Sequence, residues 1–264
     1  MGFVSDYVSF LSIRKSVSAI GLVPEIGYMD ASGLKELMRH FISKWDYYTD
    51  QCAAFSLLIC KHRTEFARFG IYADEHLDIG AYSNTPTDLY LIAGGFDKTY
   101  CVRSDVHKNI HVTICGGTLS MFVIESDVEI TAKGYSKVSF TGKSLSNVRY
   151  RGLDSSSVDL RLFGNASCRC MLFNSASGKV LTGDHVLLSY VCNDSSVLDS
   201  VISEHSICKA GYTDSARGSM KILGQALAQC LNSGSNVVEL CTYNGAVACY
   251  GGPVNVIDGD NTVN

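Results

Sequence analysis

The stretch that decides the fold is residues 128–177, VEITAKGYSKVSFTGKSLSNVRYRGLDSSSVDLRLFGNASCRCMLFNSAS. It divides without insertion into five blocks of ten residues, and each block has an apolar residue at its first and third positions. The first positions are Val128, Val138, Val148, Val158 and Cys168, and the third positions are Ile130, Phe140, Tyr150, Leu160 and Cys170. Because side chains of a strand alternate between its two faces, each block predicts a short strand with one buried face.

Small and polar residues close the last four blocks, in the endings LSN, SSS, NAS and SAS. Ser, Asn and Gly tolerate turn conformations that β-branched residues resist, so each ending predicts a turn. Strands and turns repeated in this way predict a β-solenoid, in which successive coils pair and the inward residues form one narrow core. Ten residues are too few for a complete coil of most solenoids, which suggests two blocks per coil.

The same pattern continues in the C-terminal part of the chain. Val238-Glu239-Leu240, Val247-Ala248-Cys249 and Val254-Asn255-Val256 are three further strand cores separated by turn-forming residues, and another would begin at Val263. Residues 218–231, GSMKILGQALAQCL, fit either a helix or more strands. We favour strands, because turn-forming residues flank the segment and the strand pattern resumes after it.

Residues 31–70 show a helical period instead. Two series of apolar residues recur there every seven positions, with no proline between them. The series are Leu34, Phe41, Tyr48 and Phe55, and Met38, Trp45, Cys52, Ile59 and Phe66. Such a seam predicts helices packed along one side. We favour two antiparallel helices, broken near residues 46–50 and packed into a small domain; self-association through the seam is the alternative. An earlier helix is expected over residues 5–19.

Residues 69–95 interrupt this period and contain the densest set of ionisable side chains, Asp74, Glu75, His76 and Asp78. Such a cluster could supply a general base or a metal site. A run of this kind is more often a connector whose charges face water, and we favour that interpretation. The domain boundary is therefore placed here, with a helical head over residues 1–90 and a β-solenoid over residues 91–264. The predicted fold class is α+β.

Two sets of residues are candidates for contacts with a partner. One is the aromatic-rich seam, represented by Leu34, Phe41, Trp45, Tyr48 and Phe55. The other is a ladder of arginines at outward positions of adjacent blocks, Arg149, Arg151, Arg161 and Arg169. We favour reading the ladder as a solvated face balanced by Asp154 and Asp159, and its alternative is a contact strip for an acidic partner.

Gly142-Lys143-Ser144 matches the end of a phosphate-binding loop. Such a loop needs a glycine five residues earlier, where this chain has Lys137, and a helix afterwards, where this chain has another strand pattern. We therefore interpret the tripeptide as the start of a turn between two blocks, with Gly152 at the matching position of the next block.

Cys101, His107, His111 and Cys115 are the residues most similar to metal ligands. Two Cys and two His suit zinc, but the close cysteine pair typical of structural zinc sites is absent. The segment HVTIC, which ends at Cys115, alternates like a strand, so a first strand of the solenoid is favoured over a metal site. No cofactor is expected.

Charge and cysteine usage narrow the functional classes. The net charge of the 264-residue chain is −4, which disfavours nucleic acid as the main partner. The 11 cysteines lack the spacing of a disulfide framework, and the N-terminus lacks the basic flank and apolar run of a signal peptide. No segment approaches the roughly 18 apolar residues of a membrane span. We expect no membrane contact and a location in the cytoplasm.

Short V-x-hydrophobic strands with Asn/Ser/Gly turns, behind a small helical part, resemble β-solenoid repeat proteins of bacteria and bacteriophages over about residues 96–264. That resemblance implies architecture and transfers no functional residue. Such solenoids serve as fibre shafts, as adhesive or inhibitory surfaces and, in larger forms, as polysaccharide-cleaving enzymes. We expect a non-catalytic protein-binding or assembly protein encoded by a phage or mobile element, either a particle component or an inhibitor of a host protein, with a homo-oligomer through the N-terminal helices as a further expectation. The alternative is a polysaccharide-acting enzyme.

Overall fold

The structure, a computed structural model, describes residues 2–80, 84–95, 98–244 and 246–258. Within these ranges a helical head is followed by a parallel β-solenoid, so the predicted α+β class is confirmed. The final predicted strand, at Val263, lies outside the described residues.

The head consists of short helices separated by abrupt breaks. They are α1 (Gly2–Ala19), a 3-10 helix (Tyr28–Asp30), α2 (Leu34–Ser43), α3 (Trp45–Thr49), α4 (Cys52–Lys61) and α5 (Arg63–Ala67). The helix expected over residues 5–19 is therefore confirmed. Residues 34–67 form four short helices instead of the two expected, because the chain also breaks at Lys44 and His62, and α3 occupies most of the predicted break at residues 46–50.

The solenoid consists of two ten-stranded parallel sheets in the described residues. Sheet A contains β1 (Ile71–Ala73), β3 (Asp88–Ala93), β5 (Asn109–Ile114), β7 (Asp127–Ala132), β9 (Asn147–Gly152), β11 (Ser167–Leu172), β13 (Leu187–Cys192), β15 (Ile207–Tyr212), β17 (Leu227–Asn232) and β19 (Val247–Gly251). Sheet B contains β2 (Leu77–Ile79), β4 (Thr99–Ser104), β6 (Thr118–Ile124), β8 (Lys137–Lys143), β10 (Ser157–Leu162), β12 (Ser177–Thr182), β14 (Val197–Ile202), β16 (Arg217–Ile222), β18 (Val238–Thr242) and β20 (Val254–Asp258).

Each coil of the regular region contains two ten-residue blocks, because successive blocks alternate between the sheets. Val148 in sheet A pairs with Cys168, twenty residues later, and Val138 in sheet B pairs with Val158. The expectation of two blocks per coil is therefore confirmed. Strands β16 and β17 occupy residues 217–232, so residues 218–231 form strands as favoured.

The solenoid core uses four inward positions per block, whereas the sequence pattern identified two. Val138 and Phe140 are buried as predicted, and so are the corner residue Ser136 and the residue that follows in the strand, Gly142. A Cβ atom on Gly142 would lie 2.9 Å from Cε1 of Phe140. Gly142 is thus required where an aromatic ring fills the core, which corrects our assignment of this glycine to a turn.

The turns between blocks use the left-handed backbone conformation. Ser144 follows β8 with φ 57°, and Asp154 follows β9 with φ 58°. Acidic residues at this position also link adjacent coils, because Asp154 Oδ2 accepts a hydrogen bond from the Gly134 N–H at 2.9 Å and Asp194 Oδ2 accepts one from the Asn174 N–H at 2.8 Å. Asp and Asn are therefore favoured here both by local conformation and by coil-to-coil bonding.

The head packs on the outer face of the first strands of sheet A. Its core includes Ile71, Ala73 and Ile92, while the neighbouring Tyr72 and Leu91 point into the solenoid. Strands of both sheets thus precede residue 90, and the predicted boundary falls within β3. The division of the chain into two domains stays a prediction.

Seam residues form the interior of the head. The five named as interface candidates, Leu34, Phe41, Trp45, Tyr48 and Phe55, are at most 9% exposed. Phe41 and Tyr48 lie with ring centroids 4.8 Å apart, and Phe41 and Phe55 lie 5.4 Å apart. Contact of these side chains with a second molecule would therefore require the head to open.

Candidate functional site

The outer face of sheet A carries columns of side chains that run along the solenoid axis. The middle column consists, in direct register, of His111, Glu129, Arg149, Arg169, Ser189, Lys209 and Gln229. Adjacent strands of a sheet are about 4.8 Å apart, so residues twenty positions apart in sequence become neighbours in a column. This face therefore concentrates residues that are far apart in the chain.

A groove of about 500 Å³ separates helix α3 from this face of sheet A. Its charged lining residues are Asp46 and Asp50 of the head, and Glu129, Lys133, Arg149, Arg151 and Arg169 of the solenoid. We call this cavity the arginine groove. The head supplies one wall, and the strands β7, β9 and β11 supply the floor.

Some of the charges in the arginine groove are already paired. Lys133 Nζ lies 2.5 Å from Asp50 Oδ1, which joins the solenoid to the head, and His111 Nδ1 lies 3.4 Å from Glu129 Oε2. Arg151 lies over the ring of Phe173, 5.5 Å from its centroid.

The three arginines of the groove differ in that none of them forms an ion pair among the described residues. In the part of the chain that the structure describes, no carboxylate lies within 4.0 Å of Arg149, Arg151 or Arg169. On sheet B, by contrast, Arg103 pairs with Asp105 at 2.8 Å and Arg161 pairs with Asp159 at 3.0 Å.

Arg149 and Arg169 occupy directly opposed positions on β9 and β11. Like charges in such positions destabilise a sheet. Glu129, directly opposite Arg149 on β7, offsets part of this cost, whereas the other neighbour of Arg169 in the column is the uncharged Ser189. Departures from the rules that stabilise a fold are expected at functional sites. The planar guanidinium group presents donors that match a carboxylate in a two-pronged contact, so the groove is suited to bind carboxylates.

Beyond the groove, one column of the outer face of sheet A becomes apolar. The column that contains Asn147 and Ser167 continues in register as Leu187, Ile207, Leu227 and Val247. These four side chains, which we call the aliphatic row, are 41–55% exposed. An apolar row of this length on a sheet face is unusual for a surface that contacts only water.

Toward the head, the groove adjoins a second cavity, of about 380 Å³, that shares Asp46 and Glu129 with it. The rings of Tyr90 and His111 stack in it with centroids 4.7 Å apart and an interplanar angle of 8°, and Trp45 lies 5.2 Å from Tyr90. Burial, reinforced by the nearby charges of Asp88 and Glu129, raises the pKa of Tyr90 above its ordinary value. This cavity provides an aromatic end to the charged groove.

The structure divides the predicted arginine ladder between opposite faces. Arg149, Arg151 and Arg169 lie together on sheet A, but Arg161 lies on β10 of sheet B. The reason is the twenty-residue coil, which places neighbouring blocks in different sheets. Asp159 balances Arg161 as expected, whereas the carboxylate of Asp154 binds the backbone of Gly134.

The four metal-ligand candidates do not converge. Cys101 is exposed on sheet B and His111 lies on sheet A, while His107 Nδ1 lies 2.6 Å from the Glu125 carbonyl oxygen. Cys115, at the end of β5, lies beside the head. Across the described residues, no group of three or more His, Cys, Asp and Glu side chains is arranged to hold a metal ion.

The interpretation of residues 74–78 as a solvated connector is wrong for Asp74, whose carboxylate is bound within the fold. Its Oδ2 accepts a hydrogen bond from Ser56 Oγ at 2.5 Å, and its Oδ1 accepts bonds from the N–H groups of Gly94 and Gly95 at 2.8 and 3.2 Å. Partial burial opposes ionisation, but these bonds and one from Tyr100 outweigh it and lower the pKa of Asp74. Asp74 therefore ties helix α4 to the corner after β3, and Asp78 remains exposed.

No family model matches the chain, and comparisons with curated proteins and with solved structures found no similar protein. In the described residues, no helix has the length and apolar character needed to cross a membrane. Functional inference therefore depends on the geometry of the solenoid face.

Proposed function

We propose that this chain is a non-catalytic protein-binding scaffold and that the outer face of sheet A is its binding surface. The partner is a protein with an acidic segment that enters the arginine groove and aliphatic residues that follow along the aliphatic row. The observation that carries the proposal is the set of three arginines without a carboxylate partner. Of the carboxylates in the groove, Asp50 binds Lys133 and Glu129 lies 3.4 Å from His111, and neither lies within 4.0 Å of an arginine of the groove.

The spacing of the strands sets the length of the bound segment. From β9, which carries Arg149, to β19, which carries Val247, there are five strand spacings. At about 4.8 Å each they span about 24 Å, which an extended chain covers with about seven residues. Carboxylates at one end and aliphatic side chains at the other would match the change in surface chemistry along this distance.

The resemblance to bacterial and phage solenoids suggests two settings for such a scaffold in the cytoplasm. As an inhibitor, the rigid solenoid would occlude an acidic surface of a host protein. As a component of a particle, it would join other subunits. Since the seam lies inside the head, a homo-oligomer through the N-terminal helices would use the exposed apolar residues of α1. These exposed residues are Val4, Tyr7, Val8 and Leu11.

Binding to a model peptide tests the proposal. The probe is a fluorescein-labelled octapeptide with four acidic residues followed by four aliphatic residues, and its dissociation constant is measured by fluorescence anisotropy. The double variant R149A/R169A is expected to weaken binding about tenfold or more, since it removes two charge-assisted contacts worth about 1 kcal/mol each in a partly exposed site. Added salt should weaken the binding of the wild-type protein.

Arg161→Ala is the matched control for this measurement, because Arg161 is an outward arginine on the opposite sheet. It is expected to leave the dissociation constant within about twofold of wild type. Equal loss of affinity in R161A and R149A/R169A, or unchanged affinity in both, would count against the arginine groove as the binding site.

A polysaccharide-acting enzyme is the second candidate, because Asp46, Asp50 and Glu129 line the same groove as the arginines. Paired carboxylates can serve as acid and base in glycoside hydrolysis. The test is release of reducing ends from acidic and neutral polysaccharides by the wild-type protein and by Asp46→Asn. Turnover that is lost in D46N would favour the enzyme, and no turnover with any polymer would favour the scaffold.

A further inference from the structure

We propose that Cys52 and Cys115 form a reversible dithiol–disulfide pair, oxidised by small-molecule disulfides, which covalently joins helix α4 of the head to the solenoid. The inference is independent of the proposed binding function. It rests on the convergence of two cysteines from different parts of the fold.

The two cysteines are brought together at the corner that follows β3 and β5. Ala93 and Ile114 pair in sheet A, and the Cys115 N–H donates to the Ala93 carbonyl oxygen at 3.0 Å, which sets Cys115 beside Gly94. Helix α4 begins on the other side of Gly94, because a Cβ atom at Gly94 would lie 3.2 Å from Cys52 Sγ. Gly94 is thus the point of close approach that lets the thiols meet.

Both thiols lie at this corner. Cys115 Sγ lies 3.9 Å from the carbonyl oxygen of Thr49, three residues before Cys52 in the chain. Both cysteines are free and partly exposed. Two thiols held at one corner by two rigid elements can form a disulfide with little backbone movement.

The surroundings favour Cys115 as the attacking thiolate. The hydrogen bond from Cys52 lowers the pKa of Cys115, and the charge of Lys133 adds to this effect against the opposing effect of burial. Lys133 is held at this corner, because its N–H donates to the Ile114 carbonyl oxygen at 2.8 Å and its ammonium group binds Asp50. The thiolate is the reactive form of cysteine.

Other cysteines differ from this pair. Five of them, Cys168, Cys170, Cys192, Cys208 and Cys230, are buried in the solenoid core. Burial raises the pKa of Cys168 to about 12 and that of Cys230 to about 11. Cys101 is exposed on sheet B, so it is an accessible thiol for comparison.

The reaction with a small-molecule disulfide, RSSR, proceeds by two exchanges. The Cys115 thiolate attacks one sulfur of RSSR, which forms a mixed disulfide and releases the first RS⁻ group. The Cys52 thiolate then attacks Cys115 Sγ, which forms the protein disulfide and releases the second RS⁻ group. The two protons of the protein thiols end on the two RSH products, and RSSR is the species reduced.

The test uses the folded, full-length protein and oxidised glutathione as the probe. After acid quenching and alkylation, peptide mass spectrometry is expected to show a Cys52–Cys115 cross-link as the main protein disulfide, which dithiothreitol reverses. The disulfide closes a long loop, so the unfolding midpoint of the head should rise by about 5–10 °C on oxidation.

Three serine variants separate a specific pair from general thiol oxidation. C52S should stop at a glutathione adduct on Cys115, C115S should give no cross-link, and C101S should cross-link at the wild-type rate. Circular dichroism checks that each variant is folded. If a variant does not fold, the proposal is tested by whether the wild-type protein forms the Cys52–Cys115 cross-link. A wild-type protein that accumulates adducts on Cys101 without a Cys52–Cys115 bond would overturn the proposal.

Discussion

Replacement of Asp74 by Ala is expected to destabilise the junction of head and solenoid by about 3–4 kcal/mol. The carboxylate accepts bonds from Ser56 Oγ and from the N–H groups of Gly94 and Gly95. Buried bonds to a charged acceptor are worth about 1.5–3 kcal/mol each, and we count about 1 kcal/mol each because Asp74 is only partly buried. Its φ of 52° adds a strain that Ala tolerates less well than Asp.

Urea unfolding followed by fluorescence measures this loss directly. Trp45 is the only tryptophan in the chain and lies in the head, so its emission reports the head transition. The matched control is Asp78→Ala, which removes an exposed carboxylate four residues away and should change stability by less than about 0.5 kcal/mol. Equal unfolding midpoints for D74A and D78A would refute the assignment of Asp74 as the tie between the two parts.

Acid titration gives the same contact a second signature. Because the folded-state pKa of Asp74 is lowered, its contribution to stability is present above the unfolded pKa, about 3.9, and is lost as pH falls through the lower folded value. The difference in stability between wild type and D74A should therefore be constant near neutral pH and shrink in strong acid. A difference that grows in acid would contradict this sign.

Three further changes test other parts of the structure. Gly218→Ala should lower the free energy of unfolding in urea by about 3 kcal/mol or more, because the added Cβ would clash with the Leu198 carbonyl oxygen. Gly211→Ala is the control and should leave this free energy nearly unchanged, because the nearest atom to its added Cβ is 3.7 Å away. Tyr48→Ala should lower the free energy of unfolding by about 3–5 kcal/mol and reduce helicity, because Tyr48 is fully buried in the head. If the variant stays folded and its molar mass in light scattering falls below that of the wild type, the seam joins two molecules instead. Deletion of residues 1–68 should uncover Ile71 and Ile92 and increase binding of an apolar dye while strand circular dichroism persists, and loss of the strand signal would contradict the division into two domains.

Local periodicity was sufficient to predict the solenoid and the helical character of the head, but not the number of its helices. Inward residues such as Val138 and Phe140 repeat at fixed positions, and a strand needs only this alternation to be recognised. The corner positions could not be identified in the same way, because Ser136 is polar in sequence and yet fully buried in the fold. Its burial depends on the coil, which brings a small side chain to the narrow end of the core.

Contacts between distant residues account for what the sequence pattern missed. The grouping of Arg149 with Arg169 but not Arg161 follows from the twenty-residue coil, which the block pattern suggested without fixing which blocks share a face. The wall of the arginine groove and the Cys52–Cys115 contact depend on where the head packs, and no local signal encodes that position. One local feature of Asp74 was recognisable, its position between the short strands β1 and β2. Its hydrogen-bond partners could not be predicted, because they lie 18–21 residues away in the chain.

Site-specific photo-crosslinking tests the central claim, that sheet A binds a protein partner, most directly. Lys209 and Lys179 are both exposed, outward lysines in the middle of a strand, the first on sheet A and the second on sheet B. A photoreactive amino acid is placed at each position in turn, and adducts formed in the native lysate are identified by mass spectrometry. The scaffold account predicts a discrete adduct at position 209, mapped to an acidic and aliphatic segment of the partner and lost in R149A/R169A, with none at position 179. Adducts at position 179 alone, or adducts at both positions that persist in R149A/R169A, would contradict it.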